Sequence, residues 1–435
     1  MRILIDQGIY DMRNVGNTAK LQVLANRLRH NWPQASLDII TYGPNLLKLY
    51  IPDSNPIHPD GRQVSANNRV WKEMILQLMP KYFWRFIFEM REKIWLNQPG
   101  LQNRFRSDSS YPNKDVKTHD KLFLDSEKKT VFSEMVSGTD LFVAAGCPIN
   151  DVSVDAAIQV LYRLQAAVKL GIPTAMVNPV IGQVDGPKLR TMAKAILPSV
   201  NLIFAREKIT TPKVLNSLGV DPARVYITGD DAIELAYEAH QDKWGNGIGV
   251  SLRVMPYTGV NNNHIQVLRD VVQQAAIKYR AKLIGLPISM SIHERDDQYI
   301  WQLLSGYKNV KMTRSSFQYP LEVIENTRQC RVVITGTYHA AVFALAQGIP
   351  AICLANSGSY VNKFSGLADL FHHGCELFLL DDEKLKEKLF TAVDYAWQSA
   401  ENIRPMLLES AAQQIDWGHA AYQRLYDLVD QSISS

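Results

Sequence analysis

The feature that most constrains this chain is an alternation of short apolar runs with amphipathic stretches. It starts at Arg2-Ile3-Leu4-Ile5, breaks at about 52–130 and resumes from 131 almost without pause to Ala351-Ile352-Cys353-Leu354. Short, near-continuous apolar runs are what strands covered on both faces look like, and a strand–helix–strand order places successive strands parallel. At the start, Leu21, Leu24, Ala25 and Leu28 share one helical face, and Arg13-Asn14-Val15-Gly16-Asn17-Thr18 forms the turn before it, rich in capping residues. Leu37-Asp38-Ile39-Ile40 then reads as the second strand of a βαβ unit. Further strands are expected at 141–144, 174–177, 202–205 and 224–227, with helices at 152–170, 187–197 and 211–218. After the linker Trp244-Gly245-Asn246-Gly247 a second series follows at 248–252, 282–285, 310–312, 331–335 and 351–354, then a helical stretch at 383–430. The expectation is an α/β protein of two doubly wound Rossmann-like domains facing a central cleft. They would cover 1–240, with an insertion at about 52–130, and 247–400, followed by a helical extension at 401–435.

Composition excludes other classes. The chain of 435 residues is 46% hydrophobic and 21% charged, too apolar for a disordered segment. No apolar run reaches the ~18–20 residues needed to cross a bilayer, and Met1–Asp6 lacks the apolar core and cleavage site of a signal peptide. A cytoplasmic protein is expected. A net charge of +4 is only mildly basic and shows no concentrated stripe, so no nucleic-acid partner is expected. Cys147, Cys330, Cys353 and Cys375 are far apart and without metal-ligand spacing, which argues against a disulfide framework and a zinc site. The stretch 70–95 is dense in aromatics and carries Lys81, Arg85, Arg91 and Lys93. The plainer reading is a helix packed on its domain with a solvated basic face. The other is an amphipathic helix resting on the inner face of the membrane.

Open parallel sheets bind ligands at the carboxyl ends of their strands. Residues that follow expected strands therefore face the cleft: Asn14, Asn17, Asn178, Arg206, Glu207, Asp230 and Asp231 in the first half, and Arg253, His293, Arg314 and Gly336-Thr337-Tyr338-His339 in the second. Arg206 directly follows Leu202–Ala205, where a guanidinium can grip a carboxylate or phosphate or simply pair with a nearby acid. His339 falls in the first turn of the helix after Val332–Thr335, placed to bind an anion, to move a proton or merely to pack. Asp230-Asp231 reads as a metal or hydroxyl ligand or as a cap. GxGxxG, P-loop, GxSxG and HExxH signatures are missing from the sequence.

Taken in order, Asn14-Val15-Gly16-Asn17, Ala145-Gly146-Cys147-Pro148, Phe204-Ala205-Arg206-Glu207, Asp230-Asp231 and Thr337-Tyr338-His339-Ala340 before Gly348-Ile349-Pro350 resemble the polysaccharide pyruvyl transferase family over most of the chain outside 52–130. The resemblance implies two Rossmann-like halves similar to GT-B glycosyltransferases. It also implies transfer of a carboxyvinyl unit from phosphoenolpyruvate to hydroxyls of a saccharide or lipid-linked glycan, closing a pyruvate ketal, with no cofactor and no metal. It further implies that Arg206 and His339 are the catalytic pair, with His339 binding phosphate or protonating the enol carbon. Asn14, Gly16, Asn17, Gly146, Gly336, Thr337 and Tyr338 are then substrate-binding positions. The family's Asp is Asn17 here, and the Arg two positions before its His is Thr337. Arg253 or Arg314 would have to supply the missing charge, and Thr337→Arg would restore it. A GT-B glycosyltransferase using a nucleotide sugar and a catalytically degenerate binding protein are the alternatives.

Overall fold

The computed structural model describes residues 1–64, 125–243, 245–291, 294–312 and 318–434. The 70–95 segment, Arg314 and His293 lie outside these residues. Two parallel sheets form the frame. The first has seven strands in the order β3 (Asn55–Ile57), β2 (Ser36–Ile40), β1 (Arg2–Asp6), β4 (Leu141–Ala145), β6 (Thr174–Val177), β8 (Leu202–Ala205) and β9 (Val225–Ile227). The second has six, in the order β14 (Val310–Lys311), β11 (Lys282–Gly285), β10 (Gly247–Ser251), β15 (Cys330–Thr335), β16 (Ala351–Ala355) and β17 (Cys375–Leu379). All pairs within these sheets are parallel, with register such as Ile5↔Val143 and Val250↔Ile334; two short pairs lie outside them, β5 (Pro148–Ile149) with β7 (Val180–Ile181) and β12 (Met290–Ser291) with β13 (Glu294–Arg295). Every residue of β4, β10 and β16 is buried, as sheets covered on both faces require.

Each sheet packs helices on both faces. Leu4, Phe142 and Met176 meet Val160 and Leu161 on one side of the first sheet. Ile3, Ile5 and Val143 meet Leu24 and Leu28 on the other. In the second sheet, Val333 and Cys353 pack on Phe343 and Phe364, while Val250 and Leu354 pack on Leu268 and Leu389. Two strands were not legible. The Pro-containing stretch at 52–56, at the start of the break in the alternation, leads into edge strand β3, where a residue without an N–H costs no inner ladder bond. Strand β17 is half-exposed and its sulfur Cys375 Sγ comes within 3.7 Å of Cys353 Sγ on β16, although the two are distant in sequence.

The halves are joined in several places, two of them extensive. The turn before the first helix, Val15–Asn31, hydrogen-bonds to the second half: Val15 N donates to Ile288 O at 2.8 Å and Met290 N to Arg13 O at 3.0 Å. The long helix Leu385–Ser434 puts Leu407 and Ala411 into the core of the second half, then returns to bury Tyr422, Leu425 and Val429 against the first. Tyr422 OH donates to Asp231 Oδ2 at 2.7 Å, and Arg27 Nη1 to Asp231 Oδ1 at 3.1 Å, which ties that helix to the first one. Among the described residues no helix is long and apolar enough to cross a membrane.

Candidate functional site

Strand order reverses between β1 and β4 in the first sheet and between β10 and β15 in the second. Such switch points open a crevice at the strands' carboxyl ends, and here the two crevices face each other. Gly146 ends β4 with φ +63, a left-handed turn that glycine adopts without steric cost. Asn178 ends the neighbouring β6, Arg206 ends β8, and Asp230 follows β9. From the other side come Arg253 after β10 and Thr337 to His339 after β15.

Arg206 and His339 meet at one atom. Asp230 Oδ2 lies 3.5 Å from Arg206 Nη1 and 3.7 Å from His339 Nε2. Its other oxygen accepts from Ala232 N at 3.0 Å, so Asp230 also starts the next helix. Burial pushes the Asp230 carboxyl up, but His339, Lys20 and Arg206 outweigh that and hold it well below the usual carboxylate range. Burial pushes His339 down to about 4 against the opposing pull of Asp230, so the imidazole is neutral at pH 7. The Arg206 guanidinium lies 4.6 Å above the Tyr338 ring, a cation–π stack that presets its plane. Glu207 does not pair with it. Its carboxylate accepts from the backbone of Ile209 and Thr210 and caps the following helix.

The first helix brings its amino terminus against the imidazole. Asn14 Oδ1 accepts from Gly16 N at 3.1 Å and Asn17 N at 3.2 Å, so the Asn14 side chain serves as the cap. A Cβ on Gly16 would stand 2.0 Å from His339 Cγ, so only glycine allows the ring to lie there. Gly336 is less crowded: a Cβ there would meet Leu252 Cδ1, the end of a flexible side chain, at 2.9 Å.

Two expectations change. Arg253 does not supply the charge missing at 337. Its Nε and Nη2 bind both oxygens of buried Asp296 at 2.8 and 3.0 Å, which neutralises it in place. Thr337 is no open cleft position. It is 1% exposed and its hydroxyl lies 2.6 Å from Ser251 Oγ and 3.2 Å from Thr335 Oγ1, a hydroxyl cluster that locks β15 to β10.

A cavity of about 410 Å³ opens between the halves, bounded by Arg206, Tyr338, Tyr257 and Lys363 among others. Lys363 lies over the Tyr360 ring at 4.6 Å. Burial, reinforced by Arg206, Arg253 and Lys20, pushes its ammonium down to about 7. Lys20, in the first helix, is 6% exposed and its Nζ has no hydrogen-bond partner among the described residues. Burial pushes it down to about 8 against the pull of Asp230. Sequence reasoning missed both lysines, because a lysine inside a helix reads as solvated. One signal was present: Lys20 follows Gly16 by four positions, on the same helical face. Among the described residues no group of three or more His, Cys, Asp or Glu side chains could hold a metal ion.

Among solved structures, the fold is similar to the UDP-GlcNAc 2-epimerase of Neisseria meningitidis bound to UDP-GlcNAc, at 12% identity and a TM-score of 0.57, covering 99% of this chain and 100% of that one. It is also similar to a glycosyltransferase of Rickettsia africae, at 10% identity and a TM-score of 0.53, covering 98% of each chain. Identities this low speak to fold alone: two doubly wound halves of GT-B type with a long helix at the carboxy terminus. Among curated proteins no sequence match is found. A family model does match, over residues 14–358, a span that opens at the Asn14 cap and takes in Gly146, Arg206, Asp230 and His339. The chain therefore belongs to the polysaccharide pyruvyl transferase family.

Proposed function

We propose that this protein transfers a pyruvyl group from phosphoenolpyruvate to hydroxyls of a saccharide, free or lipid-linked, and closes a pyruvate ketal. The observation that carries the reading is the meeting of Arg206 and His339 at Asp230 Oδ2, at 3.5 and 3.7 Å, on facing crevices of the two halves. Phosphoenolpyruvate presents a phosphate and a carboxylate, and Arg206 and Lys363 line the cavity between the halves, with Lys20 close enough to Arg206 to feel its charge.

His339 is the proton carrier in this reading. Burial holds the free imidazole neutral, and a dianion placed against Arg206 draws a proton onto it. The imidazolium gives that proton to the donor's methylene carbon, which becomes a methyl group, and the neighbouring carbon becomes oxocarbenium-like. A saccharide hydroxyl adds there, and the bond to the phosphate oxygen breaks with its electron pair leaving on phosphate. A second hydroxyl then closes the ketal. Of the two hydroxyl protons, one replaces the proton His339 gave and one departs with phosphate. Asp230 stays ionised throughout and steadies the imidazolium.

Thermal shift tests the reading. Phosphoenolpyruvate at about a hundred times its dissociation constant should stabilise the protein by ~2.7 kcal/mol. UDP- and GDP-sugars should not. Stabilisation by the nucleotide sugars alone would replace this reading with a glycosyltransferase, and no shift with either would make the protein a binding module of another kind.

A further inference from the structure

Two buried donors near the first switch point, Lys20 Nζ and Asn178 Nδ2, lack hydrogen-bond partners among the described residues, and His339 Nε2 faces Asp230 Oδ2 at 3.7 Å. Backbone geometry brings them together. Gly146 and Asn178 follow paired positions on adjacent strands, since Ala145 of β4 registers with Val177 of β6. Lys20 Nζ fills the space above Gly146, where an added Cβ would stand 2.9 Å away. Asn178 holds φ +51, and its Oδ1 accepts from Asp231 N at 2.6 Å, which points its amide nitrogen away from that bond. The residue before Asp231 is Asp230, whose Oδ2 faces His339.

We propose that Lys20 and Asn178, beside His339, form a buried oxyanion pocket that takes one anionic end of the donor, carboxylate or phosphate, with the Lys20 ammonium standing in for the guanidinium that Thr337 lacks. The inference rests on the function proposed above. Burying an ammonium without a hydrogen bond is costly, and such a group persists where its partner is a ligand. The charged and titratable groups around Lys20 include Asp230, Asp231, Arg206, Cys147, His339 and Lys363. Asp230 is shared with Arg206 and His339, and Asp231 is engaged by Arg27 and Tyr422. Arg206 repels the ammonium, and burial pushes the Cys147 thiol up, so it stays neutral. An incoming oxyanion therefore meets two free donors, Lys20 Nζ and Asn178 Nδ2, and a positive surplus.

The test compares wild type with Lys20→Met and Lys20→Gln by thermal shift at pH 7, using phosphoenolpyruvate, inorganic phosphate, pyruvate and a UDP-sugar. Met matches the stem and removes the charge. Its unliganded melting point should rise by a few degrees, and its apparent affinity for phosphoenolpyruvate should drop at least tenfold. Lys20→Gln should lose the same affinity and covers the case in which Met does not fold. Whichever of phosphate or pyruvate stabilises wild type but neither variant identifies the end held in the pocket. An undiminished phosphoenolpyruvate shift in the variants would overturn the assignment. So would a lower melting point with probe binding intact, which would make Lys20 structural. If phosphoenolpyruvate fails on wild type while phosphate or pyruvate binds and depends on Lys20, the pocket stands and the donor assignment falls. If no anion stabilises wild type, the pocket falls too.

Discussion

At the scale of single residues, position 337 shows how far a pattern carries. The family pattern puts an arginine there, and the sequence alone suggests that Thr337→Arg would restore a clamp. The structure places the Thr337 hydroxyl between Ser251 and Thr335, 1% exposed, with no room for a guanidinium. Thr337→Arg should therefore lower stability by about 3 kcal/mol or more through overpacking and an unpaired buried charge. Urea denaturation would read this directly, and an unchanged midpoint with improved donor binding would vindicate the simpler expectation. Arg206 and His339 were legible because each follows an apolar strand and so must emerge at a sheet edge. Lys20 and Lys363 were not, since what buries a helical lysine is its tertiary surroundings, for Lys20 the strand end at Gly146, and such contacts leave little local trace.

At the scale of elements, the first helix does more than cover its sheet. Its cap, its glycine and its buried lysine all address the cleft. Propensity alone would favour alanine over glycine within a helix by about 1 kcal/mol. Gly16→Ala should nevertheless cost turnover, because a Cβ there would stand 2.0 Å from His339 Cγ and the ring must move. Displacement of a reacting group by about 1 Å can cost about a hundredfold in rate. Steady-state turnover and melting point measured together decide it: the rate should collapse while the fold survives. Most strands were legible because parallel strands buried on both faces write continuous apolar runs. Edge strand β3 was hidden by Pro56, and β17 by Glu376, which interrupts an otherwise apolar run of half-exposed residues.

At the scale of the whole molecule, the halves meet over buried charge, and stability should follow its titration. His339 has a folded value of about 4 against an ordinary 6.5. Between those values the unfolded chain binds the proton and the folded chain does not, so stability falls as pH drops from 6.5 to 4, by up to about 3 kcal/mol. His339→Gln should flatten that part of the urea midpoint–pH profile, and an identical slope in the variant would place the loss elsewhere. The two-half architecture was legible in the alternation of runs. The return of the helix Leu385–Ser434 to the first half was not, because its helical period says nothing of which core it meets. The account's central claim is that an anionic donor enters this cleft and draws onto His339 the proton that starts the chemistry. Calorimetric titration of phosphoenolpyruvate at pH 7, repeated in buffers of different ionisation enthalpy, measures protons taken up on binding. The account predicts that wild type takes up close to one proton more than His339→Gln, with both proteins binding the donor. Equal uptake in the two proteins, or no binding by wild type, would contradict it.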